Sequence, residues 1–182
     1  MQSMLKRWAI AITLVVGITL QGCVSSTAGF KSYVDSYDGY KFLYPNGWTE
    51  IKVFDGPDLV LHDFVEPSEN ASVIISDVPE GRTLADLGTP TEVGQRLANQ
   101  SITSDDDQRK AELVSAESQD SEVGPYYILE YEVTLPNTVR HNLASVIVRR
   151  DKLFTFNVST TEARWQKIQQ KLRQVVDSFS VY

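Results

Sequence analysis

The pattern of apolar and polar residues predicts a chain that is dominated by β-strands after residue 33. Short runs rich in β-branched and aromatic residues, bounded by turn residues, occur at 40–44, 48–54, 59–64, 72–78, 111–118, 126–135, 142–150 and 152–159. The turn residues at 45–47 predict that the first two runs form a hairpin, and a charged turn at Arg150 and Asp151 separates the last two runs. Neighbours connected this closely pair antiparallel, because parallel pairing needs long crossover connections.

Two segments show the residue spacing of amphipathic helices instead. The first begins at Thr89, which can cap the helix, with Pro90 at the first helical position and Glu92 completing a capping box. Val93 and Leu97 supply its inner face. The second helix is predicted over residues 162–177, and its apolar residues recur at three- and four-residue steps at Trp165, Ile168, Leu172, Val175 and Val176. The pattern therefore predicts an α+β domain in which both helices lie on an antiparallel sheet.

The first 23 residues follow a different pattern. Lys6 and Arg7 precede an apolar stretch over 8–20, and the run LQGC at 20–23 ends at the only cysteine, Cys23. The stretch is shorter than the roughly 20 residues that cross a bilayer, and it has the length of a signal-peptide core. This is the layout of a bacterial lipoprotein signal, in which acyl chains are attached to the freed cysteine. An ordinary cleaved signal or an uncleaved anchor that happens to contain a cysteine is the alternative.

These features divide the chain into three parts. Residues 1–22 are predicted to be the signal peptide, 23–32 a lipidated flexible tether of small and polar residues, and 33–182 a single folded domain. With Cys23 acylated, no thiol remains for a disulfide, a thiolate metal site or a cysteine nucleophile. About 150 residues are enough for a core that needs no such covalent support.

The charge of the mature chain limits its partners. Removal of residues 1–22, which contain Lys6 and Arg7 and no acid, changes the net charge from −7 to −9. An acidic body disfavours nucleic acids and anionic lipid headgroups. It suits a divalent cation or a basic protein surface, or it simply keeps an exported domain soluble.

Motifs that carry catalysis are absent from the sequence. There is no G-x-S-x-G elbow, phosphate-binding loop, dinucleotide-binding glycine motif or H-E-x-x-H run, and the chain has two histidines, His62 and His141. A Ser-His-Asp triad assembles in space, but nothing favours one serine over the others. The acidic run at 105–107 is predicted to be a solvated loop, because it lacks the alternating ligands of a calcium-binding EF-hand. We therefore expect a protein without enzymatic activity.

Three stretches carry a family resemblance. KFLYPNGW at 41–48, TLADLGTP at 83–90, and EARW at 162–165 followed by SFSV at 178–181 resemble the PsbP family in their order and spacing. The resemblance extends over residues 33–182, and the lipoprotein signal at Cys23 fits the cyanobacterial lipoprotein members best. It implies an antiparallel β-sheet flanked by helices on both faces, an α/β/α sandwich, in agreement with the predicted strands and helices.

The resemblance also implies a function. PsbP proteins are extrinsic subunits on the lumenal side of photosystem II. The expectation is a monomeric, lipid-anchored protein on the lumenal side of the thylakoid membrane that docks on photosystem II subunits. Its role would be to support assembly, stability or the oxygen-evolving site of manganese, calcium and chloride. The short tether replaces a longer amino-terminal segment that serves ion retention in plant members, which favours assembly or stabilisation. The alternative is an envelope lipoprotein of the same fold with another client.

A metal site is implied by position. His141 and Glu162 occupy the places of a histidine and an acid that are associated with divalent-metal binding in plant members. Imidazole and carboxylate suit zinc or manganese, and a carboxylate also suits calcium. Two protein ligands predict weak binding at best. The alternative is a surface His141 and a helix-start Glu162 favoured by the helix dipole.

Two further clusters are candidates from the residues alone. The densest basic cluster of the mature chain, which could meet an acidic lumenal loop, consists of Arg149, Arg150 and Lys152. A charged hairpin tip that protects the sheet from edge pairing is the equally favoured alternative. The second cluster, which is either a ligand set or a surface patch at a strand end, consists of His62, Asp63 and Glu66.

Overall fold

The computed structural model describes residues 28–54, 56–103 and 108–182. The strands in these residues are β1 Phe30–Asp35, β2 Tyr40–Pro45, β3 Trp48–Ile51, β4 Leu59–Asp63, β5 Asn70–Asp77, β6 Lys110–Gln119, β7 Tyr126–Leu135, β8 Thr138–Arg149, β9 Lys152–Thr161 and β10 Ser180–Val181. The helices are α1 Pro90–Leu97 and α2 Glu162–Asp177, with short turns of 3-10 type at Ala85–Leu87 and of π type at Ala98–Ile102. The predicted signal peptide, Cys23 and the acidic run at 105–107 lie outside the described residues.

The strands form two antiparallel sheets. Seven strands form the large sheet in the order β3-β4-β5-β9-β8-β7-β6, and three form the small sheet in the order β1-β2-β10. Strand β6 lies at an edge of the large sheet, and its register with β7 shifts between Leu113 and Ser115, so that Val114 is an extra, unpaired residue. The long central hairpins β7–β8 and β8–β9 provide the rigid floor on which the candidate site is built.

The large sheet is buried on both faces. On one face it carries α2 and the small sheet, and Phe42 of β2 packs on Phe156 of β9 with ring centroids 4.4 Å apart. On the other face it carries α1, whose Val93 joins Leu129 of β7 in a second apolar cluster. Successive residues of a strand point to opposite faces, so β7 sends Ile128 to one cluster and Leu129 to the other. The predicted fold, an antiparallel sheet with helices on both faces, is confirmed.

The predicted hairpin of β2 and β3 is wrong. Strand β2 pairs with β1 and β10, whereas β3 pairs with β4 in the other sheet. The turn at 45–47 therefore carries the chain from one sheet to the next. The physical reason lies in Tyr40 and Phe42, which are almost fully buried because β2 covers the large sheet instead of extending it.

The folded domain includes residues that were predicted to belong to the tether. Strand β1 starts at Phe30, which pairs with Pro45, within the segment 23–32 that was expected to be a tether. Phe30 and Tyr33 pack against the core, although Lys31 and Ser32 between them weaken the strand signal in the sequence. The helix predictions hold well: α2 has the predicted bounds, and the Thr89–Glu92 capping box is present.

Within the described residues, the helices are too short or too polar to cross a membrane.

Candidate functional site: a buried histidine between two glutamates

His141 lies near the start of β8 under helix α2. It pairs with Thr160 of β9 and Glu132 of β7, and the strand alternation directs its side chain to the face of the sheet that α2 covers. Only 6% of the residue is exposed. Its ring stacks on the indole of Trp165 from the first turns of α2, with centroids 3.9 Å apart and planes inclined by 10°.

Both ring nitrogens of His141 meet carboxylates. Nδ1 lies 2.7 Å from Oε2 of Glu162, the first residue of α2, and Nε2 lies 2.8 Å from Oε1 of Glu130 in β7. An ionised carboxylate only accepts hydrogen bonds, so a ring nitrogen that carries a proton donates it to the carboxylate it faces. Arg173 adds a cation to the cluster, because its guanidinium donates to Oε2 of Glu130 at 2.7 Å and lies over the ring of Trp165 at 5.3 Å.

The hydrogen-bond donors around the two glutamates favour the ionised form of each. Burial alone would raise the pKa of Glu130, but the hydrogen bonds from Arg173 and His141 outweigh burial and lower it. Burial also opposes ionisation of Glu162, and the hydrogen bonds from Gln166 and His141 again give a net lowering of its pKa. The cluster therefore holds two carboxylates, an imidazole and a guanidinium between the sheet and α2.

The structure brings together the two residues predicted as metal ligands, and it adds two that sequence reasoning missed. Glu130 lies at an inward position of the apolar strand β7, and a charged residue in such a run was the available signal. Arg173 lies eight residues after Trp165 and thus on the same side of α2. The apolar residues around it in the sequence gave no indication that a charged side chain there contacts the sheet.

The donor set fits a divalent metal in part. With Glu130 holding Nε2, the nitrogen Nδ1 faces Glu162, whose side chain is 33% exposed. Orientation of a ligating imidazole by a carboxylate on its other nitrogen is common in metal sites. Coordination by both atoms requires a separation of about 3 Å, so the metal must replace the shared proton and open the present hydrogen bond slightly.

The basic cluster at the β8–β9 turn is engaged within the chain. Arg150 donates to the backbone oxygens of Tyr182 and Asp38, so it ties the end of the chain to the β1–β2 turn. Lys152 lies 2.7 Å from Asp77 of β5. Both Arg150 and Asp151 have positive φ, at 51° and 56°, as the tight hairpin turn requires.

The second predicted cluster does not assemble as a ligand set. Oδ1 of Asp63 accepts the backbone N–H groups of Val65 and Glu66, and Glu66 accepts from Ser68. These acids therefore accept hydrogen bonds within their own loop. Their oxygens and the nitrogens of His62 do not come close enough together to bind one metal ion.

A different acidic group has its oxygens within 4.8 Å of one another, formed by Asp35, Asp38 and Asp58. Tyr40 donates to Asp58 at 2.6 Å, and Asp35 accepts the N–H groups of Tyr37 and Asp38. Partial burial, followed by the neighbouring acids, raises the pKa of Asp38. Asp35 and Asp38 lie at the β1–β2 turn, and Asp58 reaches them from the segment before β4, a contact between distant parts of the chain that the sequence did not reveal.

The fold and site define a three-layer domain built around a histidine held between carboxylates. The sequence profile of the PsbP family matches residues 28–181, and the chain belongs to this family. It is 45% identical to CyanoP of Thermosynechococcus vestitus over 98% of this chain and all of that protein. It is 43% identical to CyanoP of Synechocystis over 95% of each chain. The family resemblance inferred from the sequence is confirmed.

A solved structure agrees with the fold. The solution structure of cyanobacterial PsbP (CyanoP) from Synechocystis superposes with a TM-score of 0.74 and covers 91% of this chain and 99% of that chain. The yeast Ran-binding protein Mog1p superposes with a TM-score of 0.58 at 12% identity over 84% of this chain and 95% of its own. The likeness to Mog1p concerns the fold alone.

Proposed function

We propose that the chain is a non-enzymatic, lipid-anchored accessory protein of photosystem II on the lumenal side of the thylakoid membrane. The observation that carries this proposal is the similarity to CyanoP of T. vestitus over 98% of one chain and all of the other. Membership of the PsbP family supports association with photosystem II. The LQGC run that ends at Cys23 supports the anchor, and the monomeric state belongs to the proposal.

The role we favour is support of photosystem II assembly or stability, with support of its manganese, calcium and chloride site as the narrower alternative. A pull-down tests both. The lipidated protein, tagged after Tyr182 through a flexible linker, is isolated from solubilised thylakoids, and the accompanying chains are identified by mass spectrometry. Reaction-centre subunits without the mature complement indicate an assembly factor, and active mature complexes indicate a stabiliser. Recovery of unrelated envelope proteins alone overturns the photosystem proposal in favour of an envelope lipoprotein with another client.

We place one contact with that partner at the basic cluster of the β8–β9 turn. Arg150 is a poor probe of docking, because it also fastens the end of the chain. Lys152 is the better probe, since its ammonium group pairs with an exposed acid of β5 and not with the end of the chain. In the pull-down, Lys152→Glu lowers recovery of photosystem II chains, whereas Lys167→Glu on the exposed side of α2 does not. Equal recovery with both variants excludes the turn as a contact.

We also propose that His141 and Glu162 bind zinc, manganese or calcium weakly, with Glu130 holding the imidazole from its other side. A metal that replaces the proton between Nδ1 and Glu162 must release that proton on binding. Calorimetric titration of the mature domain with zinc, in two buffers of different ionisation enthalpy, measures both binding and proton release. His141→Ala abolishes the heat of binding, while His62→Ala in strand β4, away from the site, leaves it unchanged. An unchanged isotherm for His141→Ala rules out the site.

A further inference from the structure

Two large apolar side chains stand almost fully in solvent on the β4–β5 loop. Phe64 is 77% exposed and Val65 is 88% exposed. Their loop is held firmly, because Oδ1 of Asp63 accepts the N–H groups of Val65 at 2.7 Å and Glu66 at 2.8 Å. The Glu69 N–H donates to the carbonyl oxygen of Glu66 at 2.8 Å and closes the turn. The chain thus builds a rigid tip, residues 64–65, whose two apolar side chains pack on nothing.

The tip lies at the end of the domain where the amino-terminal tether arrives. The N–H of Phe64 donates to the carbonyl oxygen of Gly47, and the N–H of Asn46 donates to that of Gly29, each at 3.1 Å. The β2–β3 turn therefore joins the tip to the beginning of the described chain. Gly29 follows Cys23 by six residues, a distance of about 22 Å even for a fully extended chain.

We propose that the tip Phe64–Val65 rests in the headgroup region of the membrane that the Cys23 lipid anchors. The inference rests on the lipid attachment of the proposed function. An anchor this close holds the end of the domain that carries the tip near the bilayer, and burial of two apolar side chains in the interface is favourable. Asp63 and Glu66 beside the tip, and the net charge of −9, fit neutral lipid headgroups and oppose anionic ones.

The domain contains its own control for this proposal. Phe54 is 99% exposed, and it lies at the opposite end of the β3–β4 hairpin from Phe64. Tyr37, 95% exposed, lies beyond the far end of β1 from Gly29. Exposed aromatic residues therefore occur at both ends, but the tether brings only the tip to the membrane.

The test uses the lipidated protein in vesicles of phosphatidylcholine. A nitroxide is attached through Val65→Cys in one sample and through Phe54→Cys in another, since the acylated native thiol does not react. Paramagnetic-relaxation measurements then compare the access of dissolved oxygen, which concentrates in lipid, with that of a water-soluble nickel chelate. We expect the ratio of oxygen to nickel access at position 65 to rise about twofold or more above that at position 54. Equal ratios at the two positions overturn the proposal.

A second readout avoids the label. Brominated phosphatidylcholine should quench the fluorescence of the tryptophan added by Phe64→Trp, and it should leave that of Phe54→Trp unchanged because position 54 is expected to lie away from the lipid. The native Trp48 and Trp165 add little to the quenched signal, since each is only 4% exposed. The tip could instead be shielded from water in native thylakoids and remain exposed to water on pure lipid vesicles. That result would mean that the tip contacts a protein, and it would also overturn the lipid proposal. A chain that lacks acyl groups by mass spectrometry and stays in solution refutes the anchor. An acylated, vesicle-bound chain with position 65 in water refutes the tip alone.

Discussion

At the scale of single residues, the inward-facing carboxylate of Glu130 links the two basic side chains under α2, His141 and Arg173. Glu130 is 9% exposed and lies in a strand whose neighbouring inward positions are apolar. It remains ionised there because Arg173 and His141 each donate to one of its oxygens. A buried charge that loses one such partner is costly, whereas a matched pair contributes little beyond its own desolvation.

Replacement of Arg173 by glutamine tests this balance. We expect Arg173→Gln to lower the free energy of unfolding by about 1–2 kcal/mol at pH 7, a value discounted because the Arg173 side chain is 42% exposed. The pKa of Glu130 is lowered in the folded protein, so its stabilisation is present above the unfolded pKa and is lost as the pH falls through the folded pKa. Urea denaturation at pH 7 and in acid therefore shows a smaller loss in acid.

The matched control is Lys171→Gln, an exposed position of the same helix, which changes the unfolding free energy by a few tenths of a kcal/mol. A loss for Arg173→Gln that stays constant from neutral to acid pH contradicts the assigned role of Glu130.

The residue scale also shows what sequence reasoning missed. The pairing of His141 with Glu162 came from the family resemblance, because 21 residues separate them and no periodicity links them. Glu130 and Arg173 belong to different elements, and only the stacking of α2 on the sheet brings them together. Contacts of this kind depend on tertiary packing, which a local pattern does not encode.

At the scale of elements, α1 approaches the sheet through a glycine. A Cβ added at Gly94 would lie 2.9 Å from a methyl carbon of Leu113 and 3.3 Å from one of Leu129, and the carbonyl oxygen of Gly94 accepts from Tyr131. A larger side chain at this position therefore requires the methyl groups of Leu113 and Leu129 to shift. This explains a glycine inside a helix, where it otherwise costs stability.

We expect Gly94→Val to lower the unfolding free energy by about 1–3 kcal/mol through overpacking. Gln95→Val on the solvent side of α1 serves as the control for helix propensity and should cost a few tenths of a kcal/mol. Thermal denaturation of both variants compares them. Equal melting temperatures would mean that the leucines move aside without cost.

Element predictions succeeded where the signal was local. The capping box of α1 and the apolar stripe of α2 both lie within one helix, and both helices form where the sequence predicts them. The prediction that β2 pairs with β3 was wrong, because a short turn keeps two strands close without requiring hydrogen bonds between them. Strand β2 lies in the small sheet because this position buries Tyr40 and Phe42 against the large sheet.

At the scale of the whole molecule, the proposed acyl anchor at Cys23 sets the expected location of the domain. We expect Cys23→Ser to move the protein from the membrane fraction to the soluble fraction, because the proposed acyl chains are attached at this residue. Fractionation of cells that express the tagged variant measures the shift. Lys31→Ser in the exposed part of β1 is the control, and a variant that stays with the membrane despite Cys23→Ser argues against the acyl anchor.

Under the proposed anchoring at Cys23, copies of the protein would meet in two dimensions, where local crowding is far greater than in free solution. The extra residue Val114 reduces the tendency of strand β6 to pair with a strand of another copy. Its bulge breaks the hydrogen-bonding repeat along one outer edge of the large sheet, and a sheet edge with a broken repeat is a poor template for a neighbouring strand. At the opposite edge, β3 is only four residues long. A broken edge and a short edge disfavour strand pairing between copies that the proposed anchor would hold on one membrane surface.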